Sequence, residues 1–497
     1  LFASAESAPF AKAGGLADVV GSLPKVLRSL GVDARVLMPM YGFIDRDAYR
    51  ISHAFSYRFP RPHGVSDVHV SVTEHEGVPF YFISVWPFFG DGGYLYTTPD
   101  WDKHRFVHFN ELVLATAWQL GQGAGGRTPW FPDVLHVHDW HAALAPFLVA
   151  HARSEPAWAR MGTVLTIHNM GYQGEWASPA LYDAGIPTRT QPDLVWQGKG
   201  DNMLGIGIAY SDIVTTVSPR YGFEIQYPRF GEGLEGLARL RAQAGDVVGI
   251  LNGLDMSRWD PATDSWVEFP FSLETVDEIR PYNKSVLQQQ AGLPVRADVP
   301  LIGIVSRLTD QKGFDLAIPA LRSLLADTDV QVVALGTGER WMEHELWSLS
   351  NDFGWKARAF LNFDAGMAQR IYAGSDIFLM PSRYEPCGTG QMVAMRYGSL
   401  PLVRETGGLA DTVVNYDNGD AEQGTGFVFL WETPDAVLGT VRWALDTYRF
   451  RQKAFRRMQY RAMAIDWGWE AGARKYVEVY ERTLARHARE PAGRSGR

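Results

Sequence analysis

The chain has 497 residues, 46% hydrophobic and 21% charged, with a net charge of -9 and an isoelectric point near 5.8. Its length predicts two to four domains at roughly 150 residues each, and the acidic balance argues against a nucleic-acid binder, which carries a basic face or stripe. One cysteine, Cys387, excludes disulfides within the chain and suits a reducing compartment, and no apolar run is long enough to cross a bilayer. No N-terminal signal pattern is present, but the chain opens inside a predicted strand without Met, which is compatible with an upstream targeting segment.

In chain order, LFASAES reads as a first strand. It is followed by KAGGLADVVGSLPKVLRSLG, where Leu16, Val19, Leu23, Leu27 and Leu30 recur at helical spacing and Gly31 closes the helix. DARVLMP reads as a strand, and DVHVSV and VPFYFISV alternate around TEHEG as a hairpin. VLHVH, GTVLTIH and DIVTTVS read as buried strands, each leading into a helix or a polar turn. A second series, VPLIGIVS, VQVVALG, DIFLMPS and LPLVRE, begins after VVGILNGLD. Strands alternating with helices predict parallel α/β sheets. We therefore expect two Rossmann-like domains, at 1–247 and 248–466, with the stretch from Trp259 to Asp298 a connection rather than core. A helix is expected over 467–486 and a flexible basic tail over 487–497. The string GGLAD occurs once in each domain, at 14–18 and again within ETGGLADTV, Glu405–Val413.

In open parallel sheets, ligands bind where strands end, so the turns after the strands carry the chemistry. Lys12, Gly14 and Gly15 stand between a strand and a helix. This is either a plain βα turn with a solvated lysine or an anion site of backbone N–H groups, helix N-terminus and a mobile cation. Neither G-x-G-x-x-G nor the Walker G-x-x-x-x-G-K-[ST] pattern is present, which disfavours a dinucleotide oxidoreductase and a P-loop NTPase. VSRLTDQKGFD puts Arg307 and Lys312 on one turn, either a surface basic pair or a diphosphate site. PSRYEPCGTGQ offers Glu385, then Gly388 and Gly390 opening a helix, which suits an anion beside a carboxylate that accepts sugar hydroxyls. HVHDWHA gathers His136, His138, Asp139 and His141, but their spacing completes no metal shell. In TIHNMGYQG, His168 and Asn169 directly follow a buried strand, in reach of backbone groups or of a sugar. The aromatic segment WPFFGDGGYLYTTPDWDKHRF suits packing as well as sugar stacking.

Taken together, KAGGLADVVGSLP, HVHDWHA, TIHNMGYQG, VSPRY, ILNGLD, VSRLTDQKGFD, PSRYEPCGTGQ and VRETGGLADTV resemble the bacterial glycogen synthases and plant starch synthases in order and spacing, nearly end to end. The resemblance implies a retaining GT-B glucosyltransferase, with two Rossmann-like domains facing across a deep cleft and a last helix crossing back to the first. It implies transfer of glucose from ADP-glucose to the non-reducing end of an α-1,4-glucan (glycogen, starch or maltooligosaccharide). No metal or organic cofactor, nucleic acid or membrane is implied. The implied compartment is the cytoplasm in a bacterium, or the plastid stroma or starch granule in a photosynthetic eukaryote.

By the same resemblance, Arg307 and Lys312 hold the donor diphosphate, Glu385 and His168 lie at the donor glucose, and Asp139 belongs to the acceptor side; these five are the catalytic candidates. Lys12, Gly14 and Gly15 match a loop that closes over the donor. Asn252, Cys387, Gly388, Thr389, Gly390, Thr406 and Gly407 join the donor site, and Phe363 matches an aromatic stacked on adenine. Glu6, Asp18 and Tyr172 are assigned to the acceptor side. Two departures stand out. The family commonly has Leu-Thr or Leu-Ile where Thr389-Gly390 stands, which shifts the hydroxyl by one residue, and Ala13 replaces a common Thr or Val. The rivals are a UDP-glucose enzyme, a catalytically silent glucan-binding homologue, against which Lys12, Arg307, Lys312 and Glu385 all argue, and a dehydrogenase.

Overall fold

The computed structural model describes residues 1–187 and 191–488. The chain divides into two compact units: Leu1–Asn252 together with the chain from Trp469 on, and Gly253–Gly468. Among the described residues of the first unit, nine strands form one sheet: β1 (Phe2–Ala3), β2 (Val36–Pro39), β3 (Ser52–Arg61), β4 (Gly64–His75), β5 (Val78–Val85), β6 (Val134–His138), β7 (Gly162–Ile167), β8 (Ile213–Thr216) and β9 (Val247–Gly249). Their order is β3-β4-β5-β2-β1-β6-β7-β8-β9. The pairs β3–β4 and β4–β5 are antiparallel and the rest parallel. Phe2 pairs with Val36 on one side and His136 on the other, so the strand order reverses at β1/β6.

The second unit holds β10 (Leu301–Val305), β11 (Gln331–Leu335), β12 (Ala357–Phe360), β13 (Ile377–Met380), β14 (Leu400–Arg404) and β15 (Phe427–Phe429). They form a parallel sheet in the order β12-β11-β10-β13-β14-β15, reversing at β10/β13. Central strands such as β7, β11 and β14 are buried along their whole length, as parallel strands covered on both faces must be. Edge strand β3 alternates exposed and half-buried residues. Its mixture of charged, aromatic and proline residues hid it from the sequence reading.

Three expectations need correcting. The first unit continues through β9 to Asn252, past the boundary placed at 247. The stretch 259–298 is anchored in core rather than merely connecting. It contains the helix Val276–Gln290, whose buried Arg280 donates to the Tyr397 and Ser375 carbonyls and whose Lys284 Nζ pairs with Asp376 Oδ2 at 2.7 Å. The last helix runs Glu470–Ala488, two residues beyond the expected end. Arg486 donates to the Asp212 carbonyl (2.6 Å) and pairs with Asp246, and Arg153 Nη1 donates to His487 Nδ1 at 3.0 Å. The remainder of the expected tail, from 489, lies outside the described residues.

That helix packs within the first unit, against β6, β7 and the helix Gly15–Ser29. Buried His136 of β6 is fixed between Tyr480 Oη on its Nδ1 (2.8 Å) and Thr166 Oγ1 on its Nε2 (2.6 Å). Burial holds this imidazole neutral, its pKa well below the ordinary value. Replacing Tyr480 with Phe keeps the ring but strands a buried imidazole nitrogen, so stability should fall by about 1–3 kcal/mol. The urea midpoint should drop with the slope unchanged; an unchanged midpoint would show that the hydroxyl does not matter.

Candidate functional site

Within the first unit the candidate residues collect at the ends of β1, β6 and β7. Glu6, just past β1, is buried. Its Oε2 accepts from the backbone N–H of Ala13 (2.6 Å) and Gly14 (3.0 Å), and its Oε1 accepts from Tyr96 Oη (2.5 Å). Two N–H groups of the glycine loop thus already hold a carboxylate. Exposed Lys12 pairs with Asp18 Oδ1 at 2.6 Å. Glu6 and Asp18, expected on the acceptor side, both engage the Lys12 loop. Gly14 is the N-cap of the helix Gly15–Ser29 and has no side-chain cap.

Asp139 opens the turn Asp139–Ala142 after β6 with φ +52°, a left-handed backbone that a residue with a Cβ adopts at a cost. The conformation aims its buried carboxylate at the next strand end, where Oδ1 accepts from His168 N at 2.7 Å and Asn169 N also donates. Burial nevertheless dominates and raises the Asp139 pKa to about 7. Burial also pulls His168 and His141 down to about 3 and His138 well below its ordinary value, so all three imidazoles are neutral. His138 Nδ1 and His168 Nε2 are 3.0 Å apart and share one hydrogen bond. The Tyr96 ring stacks on His141 at 5.2 Å, tying the β1 end to the β6 end. Tyr96 was missed as a site member, and His141 was weighed only as a metal ligand. Tyr96 was inside the aromatic segment, where its hydroxyl's partner could not be read. Tyr172 is exposed, and Asn252 is buried with its Oδ1 unpartnered among the described residues. Among those residues, no group of three or more His, Cys, Asp and Glu is arranged to hold a metal ion.

In the second unit the candidates gather after β10, β13 and β14. Arg307 is exposed and pairs with no carboxylate among the described residues. Lys312 ends the single turn Asp310–Lys312, and its Nζ lies 2.6 Å from Glu385 Oε2, which also accepts from Ser382 Oγ at 3.0 Å. The loop bearing Glu385 is held from several directions. Arg383 forms a two-point ion pair with Asp315 (2.6 Å each), and buried Arg404 donates to the Ser382 carbonyl (3.0 Å) and the Arg383 carbonyl. Gly408 N donates to the Glu385 carbonyl at 3.0 Å. Gln391 Nε2 reaches the Cys387 and Gly388 carbonyls, both at 3.1 Å.

Thr406 and Cys387 are buried. Gly407 has φ +45°, and a Cβ there would run into the Glu385 carbonyl. The structure thus brings Glu385, Cys387, Gly388, Thr406 and Gly407 together as one packed corner. Thr389 is exposed at the N-cap of the helix Gly390–Arg396 and makes no cap hydrogen bond, leaving its displaced hydroxyl open. Phe363 stands apart from that corner, 91% exposed, in the loop after β12.

Two Rossmann-like units with charged turns at both sheet reversals define the chain as a GT-B glycosyltransferase. The family model described as the starch synthase catalytic domain matches residues 1–240, and that of group 1 glycosyl transferases matches 287–461. The glycogen synthase of Thermotoga maritima is 39% identical over 98% of this chain and 99% of its own length, and that of Streptococcus uberis 40% over 97% and 98%. Among solved structures, the catalytic domain of starch synthase IV from Arabidopsis thaliana, bound to ADP and acarbose, superposes with a TM-score of 0.84 at 31% identity, covering 97% of this chain and 99% of that one. The chain belongs to the glycogen and starch synthase family.

The buried Asp139 and His168 pull stability in opposite directions with pH. Asp139 titrates at about 7 folded against 3.8 unfolded, so its contribution is present at low pH and lost as pH rises from about 4 to 7. His168 titrates at about 3 folded against 6.5 unfolded, so its contribution is present above 6.5 and lost as pH falls toward 3. Asp139→Asn removes the first slope while keeping an acceptor for the two N–H groups. Its unfolding free energy should exceed the parent's at pH 8 by up to about 4 kcal/mol, the gap closing by pH 4. A gap independent of pH in urea melts would mean that Asp139 ionises as an ordinary carboxyl.

Proposed function

We propose that this chain transfers glucose from ADP-glucose to the non-reducing end of an α-1,4-glucan with retention of configuration. The observation that supports this most directly is the second unit's packed corner, where half-buried Lys312 pairs with buried Glu385 at the sheet reversal and Arg307 stands in the same connection between β10 and the next helix as Lys312. Departure of ADP leaves an oxocarbenium-like sugar and negative charge building on phosphate. Arg307 and Lys312 supply positive charge for that oxygen, stabilising it more in the transition state than in the ground state. Glu385, held by Lys312 and Ser382, accepts from glucose hydroxyls.

In the first unit, neutral His168 offers a hydrogen bond without adding charge, its orientation fixed by His138 and by its own N–H on Asp139. A covalent glucosyl intermediate needs an ionised, exposed carboxylate. Asp139 is buried, bonded to two N–H groups and protonated up to about pH 7. Attack by the acceptor hydroxyl on the face the phosphate leaves, with that phosphate taking the proton, therefore fits better.

The test is glucose incorporation into glycogen from ADP-glucose and from UDP-glucose. Transfer from ADP-glucose is expected to dominate; preference for UDP-glucose would move the chain to the other donor class, and transfer from neither would refute the reading. Arg307→Ala should lower kcat about a hundredfold or more with little change in unfolding midpoint, because its side chain is exposed. A kcat within twofold of the parent would remove Arg307 from the site.

A further inference from the structure

The loop after β7 presents an indole to solvent in a backbone conformation that works against it. Trp176 has φ +59° and is 75% exposed. A bulky L-residue is disfavoured in the left-handed region, and such outliers persist only where surrounding structure imposes them. Here both flanks are pinned. Buried Gln173 donates to the Met170 and Glu232 carbonyls (2.9 Å each) and accepts from Asn202 Nδ2 at 2.6 Å. The Gln173 carbonyl accepts from Leu204 N at 3.0 Å and that of Gly174 from Met203 N at 3.3 Å. On the other side, fully buried Ala177 donates to the Asp201 carbonyl at 2.9 Å, and Ser178 Oγ bonds Asp201 Oδ2 at 2.7 Å. The loop is hydrogen-bonded on either side of a side chain that stands mostly in solvent.

The position of this indole is as telling as its strain. Gly174, at φ +61°, lies so close to the Trp140 ring that a Cβ would strike it, and Trp140 directly follows Asp139. The loop is therefore seated on the same strand-end assembly that holds Asp139 and His168. Tyr172, four residues before Trp176 and across buried Gln173, is 57% exposed. Two outward aromatic rings on a fixed loop beside neutral hydrogen-bonding groups suit a ligand with flat C–H faces and hydroxyl edges, since large exposed aromatics on a rigid frame mark binding surfaces.

We infer that Trp176, with Tyr172 beside it, is a stacking platform for the incoming α-1,4-glucan chain; the inference rests on the transfer reaction proposed above. The backbone strain is then the consequence of holding the indole where the glucan passes.

The test uses the full chain with Trp176→Gly and Trp176→Phe, read by retardation in glycogen-containing native gels, by KM values and by thermal midpoint. Glycine removes the platform and relieves the left-handed strain. Trp176→Gly is expected to melt at the same or a higher temperature, yet bind glycogen about tenfold more weakly and show a similarly raised KM for glycogen. Its KM for ADP-glucose should be unchanged, and Trp176→Phe should keep most of the glycogen affinity. Unaltered glycogen retardation in Trp176→Gly would overturn the inference, as would a parent protein that glycogen does not retard. So would a lowered melting temperature with both KM values rising together, which is the mark of a structural role. Glycogen retardation by the parent but not by Trp176→Gly, with no glucose transfer by either, would fail the proposed reaction while upholding the platform.

Discussion

A parallel sheet covered on both faces leaves polar side chains few places except the ends of its strands, and this molecule is built under that constraint twice. In the middle of β7, β11 or β14 every residue is buried, so charge there would have to be paired in the dry interior at a large desolvation cost. The polar chemistry collects instead after β1, β6 and β7 in one unit and after β10, β13 and β14 in the other, where the strand order reverses. The buried carboxylates of Glu385 and Asp139 are both held there, Glu385 by Lys312 and Ser382, and Asp139 by two N–H groups. Those turns are braced by partners from neighbouring elements, such as Asp315 on Arg383 and Arg404 on the Ser382 carbonyl, because buried polar groups need hydrogen-bond partners.

The repeated GGLAD string shows how far the surroundings govern a local pattern. At 14–18 the glycines stand open, with nothing near the space a Cβ would occupy, and the turn's N–H groups bind Glu6. At 407–411 the same letters are packed against the carbonyls of Glu385 and Cys387, so that only glycine fits. One copy presents a loop; the other locks two strand ends into a single corner. Both open helices, as their spacing predicts.

Much of the candidate site was legible because its residues lie next to one another in short strand-turn motifs. Arg307 with Lys312 and Glu385 with Gly388 each share one strand-to-helix connection. What escaped were partners distant in the chain: Tyr96 on Glu6, His141 under Tyr96, Arg404 and Asp315 bracing the Glu385 loop, and Tyr480 on His136. Each is an ordinary residue in its own segment and gains its role from a contact that bridges between tens and hundreds of positions. Trp176 was hidden for another reason. An exposed aromatic looks like a core aromatic in a sequence, and only the backbone dihedral and the bonded flanks reveal that it is held outward.

The sequence by itself determined the alternation of strand and helix, the two sheets with their parallel centres, the turns that carry charge and the family. These follow from hydrophobic period and from motifs whose chemistry is local. Only the tertiary structure decided that the Lys12 loop closes on Glu6, that burial lifts the Asp139 pKa to about 7, and that Val276–Gln290 is core rather than linker. Burial and long-range hydrogen bonding set those properties, and both are sums over neighbours that chain order does not contain.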